Sequence, residues 1–389
     1  MSAMPIQPHA AALDFARLAE RLEALVKVKT PKIAVLGDFC LDKYLYVYPE
    51  LDEISVETKI VAYQIRATRL FAGVGGTIAN NLRALGAETY CFGAVGGDGE
   101  GYDLLRELRK IGANTDGIVV SDGILTPTYM KPMRPAPVFT GGPLQSPDEG
   151  AWIEGNRYDV RNPERVPEET VAQVRERFLA KLPTFDAVVV SDQFASGSEA
   201  VFSAEFRKFV ADAARENPNV FFLCDSRFFI NEYRETLVKC NANELFDAYA
   251  VAHGAQERRE TTLDGDSETK VDKLCEAAEW LARRNRRPVL VTRGASGSIL
   301  VEIDAQERAA ATEIPANPVE PPIDICGAGD ATNAGLAFAK ALGFSLTEAA
   351  YLAGVVSSIT IKQIGVTGVA SVPQVLDALR KNAARQLNP

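Results

Sequence analysis

Histidine is almost absent from this chain of 389 residues, which contains only His9 and His253. This scarcity leaves almost no room for a His-ligated metal centre or for a nucleophile activated by histidine. Cysteine is also sparse, and no Cys-x-x-Cys pair occurs. Several of the six cysteines lie in apolar, strand-like runs, for example Cys91 and Cys224. The pattern predicts buried free thiols and a reducing, cytoplasmic environment.

The sequence also lacks an excess of positive charge and a long hydrophobic run. It has 42 Lys+Arg against 52 Asp+Glu, a formal charge of −10, so we expect neither a nucleic acid nor an anionic membrane as partner. No apolar run approaches the ~18 residues that a membrane span needs. Charged residues near the N-terminus, among them Arg17 and Glu20, argue against a signal peptide. With 47% hydrophobic and 24% charged residues, the composition is that of an ordinary globular protein.

What the sequence does contain is a regular alternation of strand and helix patterns. Near-continuous apolar strands separated by helices indicate an α/β fold, with a mainly parallel sheet covered by helices on both faces. Ligands of such folds bind at the carboxyl ends of the strands. The predicted strands are 32–38, 89–95, 185–192, 219–225 and 287–294, and the predicted helices are 76–85, 100–111, 167–181, 198–215, 269–285 and 330–342.

Two segments interrupt the alternation. Residues 43–68 are aromatic and β-branched, and residues 124–160 are rich in proline around short extended runs. Both are too long for ordinary connections, so we expect a small β lid or an active-site loop. Residues 1–10 have no evident anchor, and 13–27 form an amphipathic helix expected to pack on the main body. The predicted organisation is an extension over 1–30 followed by one domain over 31–389.

The segment with the clearest chemistry lies between residues 321 and 343. Gly327, Ala328 and Gly329 present backbone N–H groups just before a helix, which makes an anion cradle. Asp330 lies in the first helical turn, where the helix dipole favours its ionised form. Phosphoryl transfer needs both parts, a cradle for the transferring group and a carboxylate that accepts the hydroxyl proton. Taken alone, the same residues also fit a glycine-rich turn with a capping Asp.

A series of motifs elsewhere resembles the PfkB/ribokinase family of carbohydrate kinases. GDFCLDKY (37–44), AGVGGTIANNLRALGA (72–87), KCNANEL (239–245), VTRGASGSIL (291–300) and DICGAGD (324–330) follow in the order of that family. The resemblance covers roughly residues 31–380 and implies a ribokinase-like fold and ATP-dependent phosphorylation of a sugar. The opening motif and the EISVETK stretch most resemble bacterial heptose-phosphate kinases, which occur alone or joined to an adenylyltransferase. The sequence ends soon after the kinase pattern, so we expect no second domain of that kind within it.

The resemblance implies roles for particular residues. Asp330 matches the catalytic base and 327–329 the anion hole. The implied sugar-binding residues are Asp42, Gly73, Gly75 and Thr77, and the implied nucleotide-binding residues are Asn241, Glu244, Thr292, Gly294, Gly297, Gly365 and Thr367. Glu244 would organise Mg²⁺ through water, and Asp324 with Ile325 would form a site for a monovalent cation such as K⁺. The apolar lid also predicts a homodimer formed through paired lids.

Some alternatives stay open at this point. Asp42 also fits a solvated turn, and Asn241 with Glu244 also fits a helix capping box. Thr77 stands where the family usually has Asn, so a ribokinase- or fructokinase-like sugar competes with a heptose phosphate. A catalytically silent sugar sensor on the same fold is a further alternative. A P-loop kinase is excluded because the chain has no Gly-Lys pair, and a nicotinamide dehydrogenase because the first strand is not followed by G-x-G-x-x-G.

Overall fold

The computed structural model describes residues 6–8, 13–136, 152–162, 165–194, 201–254 and 267–387. Strands and helices alternate along most of this length, as an α/β fold requires. The strands are β1 (Ile6–Pro8), β2 (Lys32–Gly37), β3 (Phe39–Val47), β4 (Glu53–Ile54), β5 (Val61–Ala62), β6 (Ile65–Val74), β7 (Glu88–Gly96), β8 (Asn114–Ser121), β9 (Thr128–Pro135), β10 (Trp152–Glu154), β11 (Tyr158–Val160), β12 (Ala187–Asp192), β13 (Phe221–Ser226), β14 (Leu237–Asn241), β15 (Val289–Thr292), β16 (Ser298–Ile303) and β17 (Ala309–Ile314). The helices are α1 (Phe15–Val28), α2 (Gly75–Ala84), α3 (Gly99–Lys110), α4 (Glu168–Lys181), α5 (Ala204–Glu216), α6 (Ala242–Ala252), α7 (Ser267–Asn285), α8 (Ala328–Ala341), α9 (Leu346–Thr360) and α10 (Val372–Leu387).

A large sheet forms the centre of the molecule. Its strand order is β1-β17-β16-β15-β14-β13-β12-β2-β7-β8, and all neighbouring pairs are parallel except β15–β16 and β16–β17. Its middle strands are mainly apolar because both faces are covered, and every residue of β12 is buried, including Ser191 and Asp192 at its end. Alternate residues of β2 enter different cores: Ile33 and Val35 pack with α1, α2 and α8 to α10, whereas Ala34 and Leu36 pack with α4 to α7.

A second, smaller sheet joins the large one at Asp38. In this small sheet β3 pairs with β6 in antiparallel register and with β9 in parallel register, and β10 and β11 both pair with β9. β4 and β5 form a separate hairpin. The two interrupting segments of the sequence therefore meet in one sheet. This sheet is larger than the segments predicted, because β3 begins at Phe39 and β6 continues to Val74, where α2 starts.

The N-terminal segment is part of the body and is not untethered as the sequence suggested. Ile6–Pro8 pairs in parallel with β17. The predicted amphipathic helix is α1, and it packs against α10 as expected. The Phe15 ring stacks on Tyr351 at 4.9 Å between centroids, and Arg21 forms an ion pair with Glu348 at 3.0 Å. The extension thus completes one of the two cores.

The predicted elements differ from the observed ones in a few places. The predicted helix over 198–215 is observed as Ala204–Glu216, and residues 195–200 lie outside the described residues. Part of the predicted lid, residues 137–151, also lies outside them. Within the described part of the chain, no helix combines the length and the hydropathy needed to traverse a lipid bilayer.

Candidate active site

The site lies where the large and small sheets meet and several helices begin. Gly327 caps α8 with a left-handed φ of +75°, and a Cβ there would lie 3.3 Å from the Cγ2 atoms of Thr77 and Thr367. Three segments separated in sequence, namely residues 327–329, the start of α2 and the loop after α9, therefore meet at Gly327. A side chain at this position would push them apart, so the turn needs glycine.

Asp330 is the third residue of α8, directly after the glycine turn. Its side chain is only partly open to solvent. Burial and the negative charges of Asp225 and Asp42 raise the pKa of Asp330 to about 7, and Lys239 opposes them. The sequence had suggested that the helix dipole keeps this carboxyl ionised. Desolvation and like charge act against that expectation and favour the protonated carboxyl.

Lys239 is the largest feature of the site that sequence reasoning missed. Its ammonium is buried, lies 2.6 Å from Asp225 Oδ2, and is 3.3 Å from the place where a Cβ of Gly329 would be. Asn333 Nδ2 donates to the same Asp225 oxygen at 2.5 Å. Burial opposes the charge of Lys239, but the carboxylates of Asp225, Glu244 and Asp330 together outweigh burial, so the pKa of Lys239 is raised. A positive charge is thus fixed beneath the glycine turn, next to Asp330.

Asn241 and Glu244 form a reciprocal capping box at the start of α6. Glu244 Oε2 accepts from the backbone nitrogen of Asn241 at 2.8 Å, and Asn241 Oδ1 accepts from that of Glu244 at 2.9 Å. This is the structural alternative that the sequence left open. Burial and the charge of Asp225 also raise the pKa of Glu244, which lies within range of Lys239. The capping box therefore stands beside the Asp225–Lys239 pair.

The other predicted nucleotide-binding residues lie on turns at two edges of this region. Gly294 and Gly297 belong to the turn after β15, and Gly297 also has a structural role, because a Cβ there would lie 2.1 Å from the carbonyl oxygen of Ile314. Thr292 Oγ1 donates to the carbonyl oxygen of Cys240 at 3.3 Å. The turn is thereby fixed next to β14 and the start of α6.

Asp324 ties the loop after α9 to the glycine turn. Its carboxylate accepts from the backbone nitrogens of Cys326 and Gly365, both at 3.0 Å. Ile325, its predicted partner in a cation site, has a largely exposed side chain. Asp324 therefore already has a structural role, which holds Gly365 and Thr367 against residues 326–327.

Asp42 lies on β3 at the start of the small sheet, and it is paired. Lys131 Nζ on β9 is 2.8 Å from Asp42 Oδ1 and donates to the Tyr44 hydroxyl at 3.2 Å. Both members of this ion pair are nearly buried. Burial lowers the pKa of Lys131, but Asp42 and Tyr44 together outweigh burial and raise this pKa. Lys131 is a second site residue that the sequence analysis did not identify.

The glycines predicted around Asp42 allow close packing. A Cβ at Gly73 would lie 2.5 Å from Asp42 Oδ2, and one at Gly75 would lie 2.8 Å from the carbonyl oxygen of Asp38. Between them Val74 has φ +57° and ψ −114°, a strained conformation for a β-branched residue. The Cys40 and Cys326 thiols both lie within electrostatic range of Asp42, Lys131 and Asp330. The predicted sugar-binding and catalytic residues therefore border one space.

Solved structures share this architecture. Ribokinase from Arabidopsis thaliana, in a structure with ribose and ATP, matches with a TM-score of 0.60 and 18% identity over 90% of this chain and 99% of that one. Phosphofructokinase-2 from Escherichia coli, in a structure with substrates and products, matches with a TM-score of 0.62 and 18% identity over 90% of this chain and 99% of that one. At this identity the likeness shows the fold, which is ribokinase-like.

The sequence comparisons go further than the fold. The model of the pfkB family carbohydrate kinases matches residues 30–132 and 202–373, so the chain belongs to this family and is a phosphotransferase with an alcohol group as acceptor. Curated relatives named "Bifunctional protein HldE" include one from Sulfurimonas denitrificans, 25% identical over 88% of this chain, and one from Gluconacetobacter diazotrophicus, 27% identical over 90%. The chain spans 63% and 64% of the length of these two relatives.

Proposed function

We propose that this carbohydrate kinase transfers the γ-phosphoryl group of ATP to a hydroxyl group of a sugar phosphate, with a heptose phosphate as the leading candidate. The observation that carries the chemistry is the position of Asp330 between the glycine turn and Lys239. A carboxyl group with a pKa of about 7 can take a hydroxyl proton near neutral pH. The N–H groups of residues 327–329 would hold the transferring phosphoryl group, as helix N-termini hold anions.

The nucleotide half of the proposal rests on the two turns and the capping box. ATP would lie against Thr292, Gly294 and Gly297 on one side and Gly365 and Thr367 on the other. Its phosphates would then point to Asn241, the glycine turn and Lys239. The Lys239 ammonium would attract the phosphates without contributing a proton, since its pKa is raised. Asp324 and Ile325 would take a monovalent cation such as K⁺ only if Asp324 gives up part of its backbone contacts.

The charges of the site fit a divalent cation. Four carboxylates (Asp42, Asp225, Glu244 and Asp330) stand in electrostatic contact with two ammonium groups (Lys131 and Lys239). Among the described residues no group of three His, Cys, Asp or Glu side chains could hold a metal by itself. Glu244 would therefore hold Mg²⁺ through water, together with the ATP phosphates, as this ion prefers. Bound Mg²⁺ would offset the repulsion between the phosphates and these carboxylates.

The acceptor half of the proposal rests on one face of the small sheet. The register places Phe71, Asp42 and Tyr129 in one row across the strands, and Arg69, Tyr44 and Lys131 in the next. The rows are about 7 Å apart, because each lies two positions from the other along its strand, as Asp42 and Tyr44 do on β3. A sugar held by Asp42, Gly73, Gly75 and Thr77 would extend its far end over the second row, where two cationic side chains flank a tyrosine. That arrangement suits a phosphate group on the acceptor.

The small sheet would then act as a lid over the acceptor, and a second copy would cover its apolar hairpin in a homodimer. Residues 31–389 would make up the kinase domain, with 1–30 as an extension packed on it. The cytoplasm is the expected location, where ATP and sugar phosphates are available. A ribokinase- or fructokinase-like sugar is the alternative acceptor, and a silent sensor is the alternative to catalysis.

A panel of sugars and sugar phosphates in an assay of ADP release tests this proposal. We expect turnover with a sugar phosphate, and Lys131→Met should raise KM for it at least about tenfold, the loss of one charged hydrogen bond. Lys43→Met is the matched control, because Lys43 lies on the opposite face of β3 and pairs with Glu100 at 3.1 Å. Turnover only with unphosphorylated sugars would contradict the sugar-phosphate assignment. Tight sugar binding without ADP release would favour the sensor.

A further inference from the structure

A second charged cavity lies apart from the residues gathered around Asp330. It has a volume of about 370 Å³ and is formed by α5, by the loop between β13 and β14, and by the residue after α7. Its cationic lining consists of Arg207, Lys208, Arg215, Arg234 and Arg286, and its acidic lining of Asp212, Glu232 and Glu235. Five positive charges against three negative ones give this cavity a net positive charge in a chain whose formal charge is −10.

Each of the three acidic residues forms an ion pair with one of the cations. Arg207 Nε lies 2.8 Å from Glu232 Oε2, Arg215 Nη2 is 2.5 Å from Asp212 Oδ1, and Arg286 Nη1 is 3.4 Å from Glu235 Oε1. Such pairs are common on protein surfaces and by themselves mean little. The surplus charge belongs to the two remaining cations.

Those two cations, Lys208 and Arg234, form no ion pair with any carboxylate in the described residues. Arg234 is half-buried, and its Nη1 donates to the carbonyl oxygens of Asn231 and Tyr233 at 2.9 and 2.6 Å. Burial lowers the pKa of Arg234, the nearby guanidinium groups of Arg284 and Arg286 lower it further, and Glu232 offsets these effects only in part. A half-buried guanidinium among like charges destabilises the fold unless an anion offsets it.

We propose that this cavity binds a small phosphate compound with at least two negative charges, such as a phosphate ester or pyrophosphate. Arg234 and Lys208 would supply the charge, and the planar guanidinium of Arg234 matches two oxygens of a phosphate group. The volume suffices for a small ligand. Arg207 lines the inner end of the cavity and is buried. Its Nη1 lies 3.5 Å from Asp192 Oδ2, at the carboxyl end of β12.

Calorimetric titration of the full chain with inorganic pyrophosphate tests the site without any assay of kinase activity. Arg234→Gln should weaken binding at least about tenfold, which corresponds to one lost charge-assisted contact. Lys208→Gln, at an exposed position where folding does not depend on the side chain, should also weaken binding. The control is Arg308→Gln, since Arg308 is exposed and pairs with Asp304 at 2.7 Å outside the cavity; it should leave binding within twofold of wild type.

A second readout separates ligand binding from a structural role. Without ligand, Arg234→Gln should melt no lower than wild type, because it removes a like charge, and pyrophosphate should raise Tm for wild type but not for this variant. Absence of binding to wild type would overturn the proposal. Binding that Arg234→Gln and Lys208→Gln leave unchanged would also overturn it, because the pyrophosphate would then occupy another site.

Discussion

At the scale of single residues, the most unusual groups outside the site are two facing carboxyls. Asp38 directly follows β2 and Asp192 is the last residue of β12. Both are buried, and Oδ1 of each has no hydrogen-bond partner among the described residues. Asp38 Oδ2 accepts from the backbone nitrogens of Gln193 and Phe194 at 2.8 and 3.0 Å. Burial and the charge of Asp192 raise the pKa of Asp38 to about 8, and burial raises that of Asp192 to about 6.

This pair predicts a stability that falls as the pH rises. The folded state keeps the Asp38 proton up to about pH 8, whereas the unfolded chain loses it near its ordinary pKa of 3.8. The stabilisation is therefore complete below about pH 4 and disappears as the pH approaches 8. Asp38→Asn, which cannot ionise, should gain stability relative to wild type between pH 5 and 8. Urea unfolding at pH 5 and at pH 8 measures the difference in free energy of unfolding between Asp38→Asn and wild type. A difference of the same size at both pH values would contradict the prediction.

The residues that the sequence did not reveal share a physical reason. Lys131 and Lys239 each occur singly in a strand, so no periodic pattern marks them, and Lys239 opens the KCNANEL motif without having been assigned a role there. Their partners, Asp42 and Asp225, lie on other strands, and only the pairing of β3 with β9 and of β13 with β14 brings them together. A lysine inside a buried strand such as Leu237–Asn241 was the available signal, because lysine is rarely buried unless it is paired.

At the scale of elements, apolar patterns predicted five strands of the large sheet and most of the helices between them. The predicted strand 89–95 is observed as Glu88–Gly96, and the predicted helix 167–181 as Glu168–Lys181. The sequence analysis did not predict β8, β14, β16 or β17, nor the helices α6, α9 and α10. Most of α9 is buried, so it lacks the polar face that reveals an amphipathic helix. The small sheet was predicted only in part. The first residues of β3, from Phe39, fall within the GDFCLDKY motif, and the sequence analysis treated them as a motif after the first strand and not as a strand of the lid.

The helix α1 should contribute to stability, because it belongs to the core. Leu22 is buried in the cluster that α1 forms with α8, α9 and α10. Leu22→Ala should lower the free energy of unfolding by roughly 2–5 kcal/mol, the cost of removing a buried leucine side chain. Glu20→Ala, at an exposed position on the same helix, should change it by less than about 0.5 kcal/mol. Urea unfolding of both variants checks this, and a negligible loss for Leu22→Ala would show that α1 is dispensable.

At the scale of the whole molecule, an apolar surface is left uncovered by the part of the chain that the structure describes. The hairpin of β4 and β5 and its flanks expose Ile54 by 60%, Val56 by 76%, Ile60 by 67% and Tyr63 by 54%. Apolar side chains so concentrated usually mark an interface. We therefore expect a homodimer through these hairpins. Sedimentation should find a dimer at micromolar concentration and a shift to monomer for Ile60→Asp. A wild-type monomer at that concentration would contradict the expectation.

The central claim concerns Asp330, and its replacement by Asn tests the claim most directly. The variant keeps the size and polarity of the side chain but cannot accept the proton of the acceptor hydroxyl. Turnover, measured as ADP release with the best acceptor of the panel, should fall by ~10²–10⁴-fold. Calorimetry should still detect binding of ATP and of that acceptor. Asp116→Asn, at an exposed position on β8, should leave turnover unchanged. Retention of more than about a tenth of wild-type turnover by Asp330→Asn would contradict its role as the catalytic base.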